Sequence, residues 1–507
     1  VRIICVEPQG VLDTLTGEVS PRIELEKLLT GRPGGIIAGV NLYDSLARLG
    51  PEIRGDEGWT MSISVQQQRV NALNPKETRV QGLIYVTRIT YRAGKVREQG
   101  KRRRPPAIKW MVLNLELFLD PSEKYDTLEA TQAIIGLAER RGIKPRPSVG
   151  ALGSALLRSS PEWVKGRQPA PWFISDIARE HLPGNYYAIS NKQKGKRLDH
   201  VYYMDQASSH HKIASSIPLP DPAFLRARGR LRAVERDENP KWIDDLSLLR
   251  RHYGLLACLV EIGTIPSTLF HLYPPWAREK GKRRCWIWTP ELRLFENDHR
   301  IHIKHVSAAL TSPQLDTALW EYADWALQES KRPDKRFIKS SLLAAYGMLA
   351  CRSDRPFTFY SVHGRKKPPR AEICELPLLP EVYRSTVERT RVPSIQNVVA
   401  RGVIEAETRT RSIEYARALE AEGTPVAQIY ADGLLAVMDQ APIFVPEHWR
   451  IAASLTRVYS PHPNSIISQE LVRLPGILGS AQQAYSTAWE HLSVREELES
   501  RPSTLAG

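Results

Sequence analysis

The chain has 507 residues, 42% of them hydrophobic and 25% charged, and carries a formal net charge of +15. These are globular values; the length predicts two to four domains, and the basic surplus favours an acidic partner, nucleic acid before an anionic membrane surface, over a merely basic soluble protein. Cys5, Cys258, Cys285, Cys351 and Cys374 are scattered without a C-x-x-C, no apolar run is long enough to span a bilayer, and no signal-peptide pattern is present, which argues against a disulfide framework, a structural zinc and a membrane span and for a reducing compartment.

In chain order, "GRPGG" (31–35) reads as a turn, because no Lys-Ser/Thr follows to make a phosphate loop. "RVQGLIYVTRITYR" (79–92) and "IKWMVLNLELFL" (108–119) alternate as two strands of a hairpin, joined by the basic loop "AGKVREQGKRRRPPA". Such a charge run is ordinarily a solvated face, with phosphate contact as the alternative. Residues 125–142 and 149–158 read as helices, and Pro/Gly punctuation at 143–148 and 161–171 predicts a domain boundary near 150–170. Strand-like 186–189 follows, then helical segments at 222–233 and 243–252 and strands within 283–305. Helical periodicity returns at 312–330, 335–350 and 404–422, the last stopped by Gly423, and "VAQIYADGLLAV" (426–437) reads as strand, tight turn, strand.

Two acids are placed alike. Asp205 closes the apolar run in "VYYMDQASSHHKIASSIPLP" (201–220), and Asp432 stands at the Asp-Gly turn of "IYADGLL". A lone buried carboxylate is costly unless it has a partner or an open strand end. Two strand-end carboxylates that converge repel each other unless a divalent cation neutralises them, and such a pair holding two Mg²⁺ suits in-line phosphoryl transfer. Between them, "KRFIKSSLLAAYG" carries Lys335, Arg336 and Lys339 near one helical face, then Tyr346 and Gly347. Those cations suit a triphosphate and the aromatic suits a base, although a Lys-rich helix is more often a solvated face. "HRIHIKH" spaces His299, His302 and His305 in odd steps, which on a regular strand alternate between faces and so disfavour a shared metal; Cys351 reads as packing.

The order acid, K-x6-Y-G helix, acid in a hairpin resembles the three polymerase motifs of family B DNA polymerases, in particular the phage and linear-plasmid branch that includes protein-primed enzymes. Asp205 and Ser208 match motif A, D-x-x-S-L-Y-P; Lys339, Tyr346 and Gly347 match motif B, K-x-x-x-N-S-x-Y-G; Asp432 matches the second Asp of motif C, D-T-D-S. "GIKPRPSVGALGSALLR" (142–158) and Gly184 resemble the approach to the palm, 285–306 resembles the segment between motifs A and B, and "TRVY" (456–459) with "VRLPGI" (472–477) resembles the thumb approach, so that the likeness covers about 140–480. The departures are Leu343 and Ala344 for Asn and Ser in motif B, Tyr430 for the first Asp of motif C, and Ser209, His210 and His211 for Leu-Tyr-Pro in motif A.

The resemblance implies an α+β polymerase right hand behind an exonuclease-like, RNase H-like α/β domain: exonuclease-like 1–150, palm 151–312 and 353–445, fingers 313–352, thumb 446–507. It implies template-directed DNA synthesis from dNTPs on primer-template DNA, with two Mg²⁺ (Mn²⁺ as substitute) on Asp205 and Asp432. Lys339, Arg336, Tyr346, Ser208 and His210 are implied to bind nucleotide, His210 standing where the family's tyrosine excludes a 2′-hydroxyl. Arg457, Tyr459 and Arg473 are implied to bind DNA. A priming protein or replication accessory factor is a further implied partner, the membrane is not, and the compartment is the cytoplasm, that of a bacterial host for a phage or plasmid gene. The exonuclease motifs are degraded: Glu7 is present but Cys5 replaces an Asp, Asn41 and Asp44 are one residue too close, and Tyr125 is followed by Glu129 in place of Asp. Two alternatives stay open, a non-catalytic polymerase-derived nucleic-acid-binding protein and a metal-dependent nuclease using Glu7, Asp44 and Glu129.

Overall fold

The structure is a computed structural model that describes residues 2–7, 10–14, 19–20, 34–47, 59–70, 79–91, 96–98, 101–103, 107–119, 125–163, 170–183, 188–193, 197–229, 253–296, 298–351, 357–363, 371–387, 395–429, 432–439, 445–446 and 449–459. Two compact units each combine two stretches of chain: Val1–Ser159 with Ser330–Pro393, and Ser160–Glu329 with Ser394–Gly507. The first break falls inside the boundary expected at 150–170.

The first unit is built on strands β1 (Ile3–Glu7), β2 (Gly10–Asp13), β3 (Val19–Ser20), β4 (Ile36–Gly39), β5 (Trp59–Val70), β6 (Arg79–Tyr91) and β9 (Ile108–Asn114), with a small hairpin of β7 (Val96–Glu98) and β8 (Lys101–Arg103) in the basic loop. β1, β4 and β9 run parallel, and β6 pairs antiparallel with β9 in the register Arg88↔Met111 to Tyr91↔Ile108, as its alternation predicts. Gly34 of the "GRPGG" segment lets the chain pass against β9, since a Cβ there would meet the Lys109 carbonyl oxygen at 1.8 Å. The sequence reading assigned 353–445 to the palm, but β16 (Phe357–His363), β17 (Glu372–Leu376) and β18 (Leu379–Val387) extend this first sheet, β16 pairing with β5. Helices α1 (Leu42–Ala47), α2 (Thr127–Arg140), α3 (Val149–Arg158) and, later in the chain, α7 (Lys335–Leu349) belong to the same unit. Asp126 and Ser148 cap α2 and α3 by accepting from the Glu129 and Ala151 amides. α3 and α7 meet at Gly153, where a Cβ would lie 2.7 Å from the Ala345 amide nitrogen. Only a residue without a side chain permits that approach.

The second unit has two sheets around one core. The first runs β10 (Ala188–Ile189), β19 (Val426–Ile429), β20 (Gly433–Val437), β11 (Arg197–Gln206), β21 (Trp449–Tyr459); the second runs β12 (Arg226–Gly229), β15 (Ile301–Thr311), β13 (Gly254–Ile262), β14 (Gly281–Trp288). α4 (Trp172–Glu180), α5 (Ser209–Ser216), α6 (Thr317–Glu329) and α8 (Val398–Ala421) complete it. Met204, Leu434 and Ala436 of the first sheet, Leu256, Val260 and Ile287 of the second, and Ile413, Ala416 and Leu419 of α8 share the core. α8 is buried on most sides, and its charges are paired inside: Glu407 accepts from Arg293 at 2.8 Å and Arg411 at 2.7 Å, and Arg409 pairs with Glu291. Asn397 caps its first turn and Gly423, at φ +86°, follows its last.

Three expectations change here. The described part of the helix expected at 222–233 is not helical: Asp221 caps a short 3₁₀ turn at Pro222–Phe224, and Arg226–Gly229 is then taken up by the edge of β15. β21, expected in the thumb, is a strand of the sheet that carries Asp205. His302 and His305 fall on one face after all, because a bulge at Lys304 sets them opposite Glu261 and Leu259. The helix expected at 243–252, and Gly184 and Arg473, lie outside the described residues.

Candidate active site

β11 is a strand because "VYYMDQ" alternates between the α8 face and the opposite one. Met204 joins the core, and the buried Gln206 donates to the Thr408 carbonyl at 3.0 Å and to Ser412 Oγ at 2.7 Å. These contacts lock the strand end to α8 and fix the register that follows. Asp205 lies opposite Gly433 of β20 and opposite Arg450 of β21. One step further, the Gln206 amide donates to the Asp432 carbonyl at 2.8 Å, so Asp432 directly adjoins the strand end that carries Asp205. Gly433 makes the closeness possible: a Cβ there would lie 2.8 Å from Tyr203 Oη and 2.9 Å from the Met204 carbonyl oxygen.

The two acids singled out in the sequence are thus brought to one end of one sheet. The Asp205 side chain is 17% exposed and Arg450 holds it, Nη2 donating to Oδ2 at 2.7 Å and Nε to the same oxygen at 3.2 Å. Both acids offer hard carboxylate oxygens of the kind Mg²⁺ and Mn²⁺ prefer. Among the described residues no group of three or more His, Cys, Asp or Glu side chains is placed to hold a metal, so a cation bound here would have the two aspartates, with water or phosphate oxygens completing its shell.

Ser208, at φ 55°, turns the chain directly into α5. His210 stands in the first turn of that helix, its Nδ1 3.3 Å from Ser209 Oγ. Burial, then the Arg401 guanidinium and then His211, pushes the His210 imidazole down to about 3. It is neutral at pH 7. The unfolded chain takes up this proton near pH 6.5 and the folded chain does not, so the folded state loses stability as pH falls from about 6.5 towards 3, by up to about 1.4 kcal/mol per pH unit. His210→Asn should therefore flatten the pH dependence of urea unfolding between pH 6.5 and 5. An unchanged slope would show that His210 does not resist protonation.

In the first unit, Lys339 is exposed on α7, and Arg336 donates to Glu129 at 3.0 Å, with both side chains about half exposed. Tyr346 was expected to stack on a base, but its ring is fully buried, which makes it a core residue of this unit. Arg457 and Tyr459 lie on β21, opposite Asp199 and Arg197. At the ends of the parallel strands, Asn41 and Asp44 are exposed and Cys5 is buried. Sequence reasoning passed over Glu116, whose carboxyl is raised by burial and whose charge, after burial itself, raises the Tyr125 phenol. It also passed over Arg450 and Gln206; only the register of strands remote in sequence identifies them.

The mixed α+β architecture, with two acids at one sheet end, resembles the fold of phi29 DNA polymerase. No protein-family model and no curated protein matches the sequence. Among solved structures, phi29 DNA polymerase complexed with primer-template DNA aligns over 90% of this chain and 85% of its own, at a TM-score of 0.52 and 12% identity. The same polymerase with primer-template DNA and incoming nucleotide aligns over 88% and 82%, at 0.53 and 14%. Its complex with single-stranded DNA aligns over 88% and 81%, at 0.51 and 12%. At these identities the likeness is one of fold. No helix among the described residues is long and apolar enough to cross a membrane.

Proposed function

We propose that the chain is a template-directed DNA polymerase that joins a dNTP to a primer 3′-hydroxyl. The observation that carries this is the convergence of Asp205 and Asp432, far apart in sequence, on one end of the β20–β11 pair. The five-stranded sheet of the second unit is then the palm, and α7 with its exposed cations belongs to the fingers. Asp205 and Asp432 are the metal ligands. Two Mg²⁺ held there would lower the pKa of the attacking hydroxyl and stabilise the leaving oxygen. The chain's own contribution is rigidity: Gln206 and the strand ladders fix the strand ends from which the two aspartates project before substrate arrives.

Lys339 and Arg336 are assigned to the dNTP triphosphate and Ser208 and His210 to the nucleotide on the strength of the motif resemblance. The Arg336–Glu129 pair is exposed, worth about 0–1 kcal/mol, and so is readily exchanged for phosphate. The basic surplus serves template and primer phosphates. The domain at 1–150 is exonuclease-like and catalytically reduced, because Cys5 occupies the place of a metal-binding acid.

Primer extension with Mg²⁺ and all four dNTPs tests the reading, with Asp205→Asn as the inactive control. A wild-type chain that binds primer-template yet adds no nucleotide would favour the alternative of a non-catalytic nucleic-acid-binding protein. Lys339→Ala should raise the dNTP KM or lower kcat by about tenfold, as expected for loss of one cation from a triphosphate. Steady-state kinetics equal to wild type would return Lys339 to an ordinary solvated face.

A further inference from the structure

We propose that Arg450 is an internal counter-cation of the two-aspartate site, bound to Asp205 when no metal is present and displaced when a divalent ion binds, so that it sets the site's metal affinity. The inference rests on the assignment of Asp205 and Asp432 as metal ligands.

Register provides the contact. β21 lies on the opposite side of β11 from β20, and places Arg450 directly across from Asp205. Both guanidinium contacts go to one oxygen, Oδ2, at 2.7 and 3.2 Å. The partners differ in freedom. The Asp205 side chain is 17% exposed on a strand laddered on both sides, whereas the Arg450 side chain is 56% exposed. The acid stays, and the arginine can swing into water at the modest cost of an exposed ion pair. Its neighbour Trp449 is buried and anchors the strand, so exchange needs a side-chain rotation and no strand movement.

The electrostatics give the pair a purpose. Carboxylates on adjoining strands repel one another, and a nearby cation relieves that repulsion while no metal is bound. A divalent ion seeks the same oxygen. Guanidinium and metal therefore exclude each other at Oδ2, and the metal must first break the ion pair. An exposed pair of about 0.2–1 kcal/mol weakens metal binding by about 1.4- to fivefold. Metal is then held loosely by the empty enzyme and more firmly once phosphate oxygens add their own ligands.

The test titrates the full chain, free of DNA and nucleotide, with Mn²⁺ and follows free Mn²⁺ by electron paramagnetic resonance, alongside thermal unfolding in EDTA and in Mn²⁺. Arg450→Ala should bind Mn²⁺ about 1.4- to fivefold more tightly than wild type. It should melt lower than wild type in EDTA and regain the difference in Mn²⁺. Arg450→Lys, which keeps the charge, should titrate close to wild type. If Arg450→Ala binds no more tightly while Asp205→Asn and Asp432→Asn lose Mn²⁺, the counter-cation role is overturned and the two-aspartate site stands. If those two aspartate variants bind Mn²⁺ as wild type does, the site assignment fails and this inference with it.

Discussion

Asp432→Asn should reduce primer extension in Mg²⁺ by at least about a hundredfold, with primer-template binding unchanged or slightly tighter. The amide keeps the size of the carboxylate but loses the charge that holds a cation. Removing one metal ligand from a phosphoryl-transfer site forfeits several kcal/mol of transition-state stabilisation, and about 3 kcal/mol is already more than a hundredfold in rate. DNA binding rests on basic side chains meeting phosphates, and Asp432 supplies none. Asp432 meets Gln206 through its backbone carbonyl, and the variant retains that contact. Single-turnover extension, with binding measured by fluorescence anisotropy, separates the two effects. Extension at the wild-type rate would remove Asp432 from the chemistry.

The second large effect is on stability. Gly402 lies within α8, where alanine would ordinarily gain about 1 kcal/mol of helix propensity. Here a Cβ would meet the Trp288 ring at 2.0, 2.2 and 2.5 Å. That ring is 2% exposed and its Nε1 donates to the His181 carbonyl at 2.8 Å, so it has little room to move. Overpacking of this severity costs about 3 kcal/mol, which outweighs the propensity gain. Gly402→Ala should therefore lower the apparent melting temperature by roughly 5 °C. Combining it with Trp288→Leu should give a total loss smaller than the sum of the two single losses. A variant as stable as wild type would show that the helix can shift away from Trp288. Because α8 also holds Gln206 through Thr408 and Ser412, the destabilised variant should lose extension activity below its melting range.

What the sequence disclosed was mostly local. The alternation in 79–91 and 108–114, the periodicity of α6, α7 and α8, and the antiparallel pairing of β19 with β20 are all written within a dozen or two consecutive residues. The strand-end positions of Asp205 and Asp432 were legible for the same reason. The failures were non-local. Nothing within 357–363 marks β16 as a partner of β5, and nothing within 226–229 outweighs a helical reading until β15 supplies the pairing edge. Tyr346 sits where a motif places a functional ring, yet packing decides its burial. Arg450 had no local signal, since it meets Asp205 only because β21 returns to β11 in one particular register. The β-bulge at Lys304, one residue in length, is enough to put His302 and His305 on a shared face that alternation alone forbids.

The most direct measurement is a crystal structure of the chain with primer-template, a non-hydrolysable dNTP and Mn²⁺, read in its anomalous difference map. The account predicts Mn²⁺ within about 2.0–2.3 Å of a carboxylate oxygen of Asp205 and of Asp432, the bond length of a first-row divalent ion to oxygen. It also predicts nucleotide phosphate oxygens completing the coordination and the Arg450 guanidinium withdrawn from Oδ2. Mn²⁺ bound elsewhere, or Asp205 still paired with Arg450 and no ion between the two strands while nucleotide is present, would contradict it.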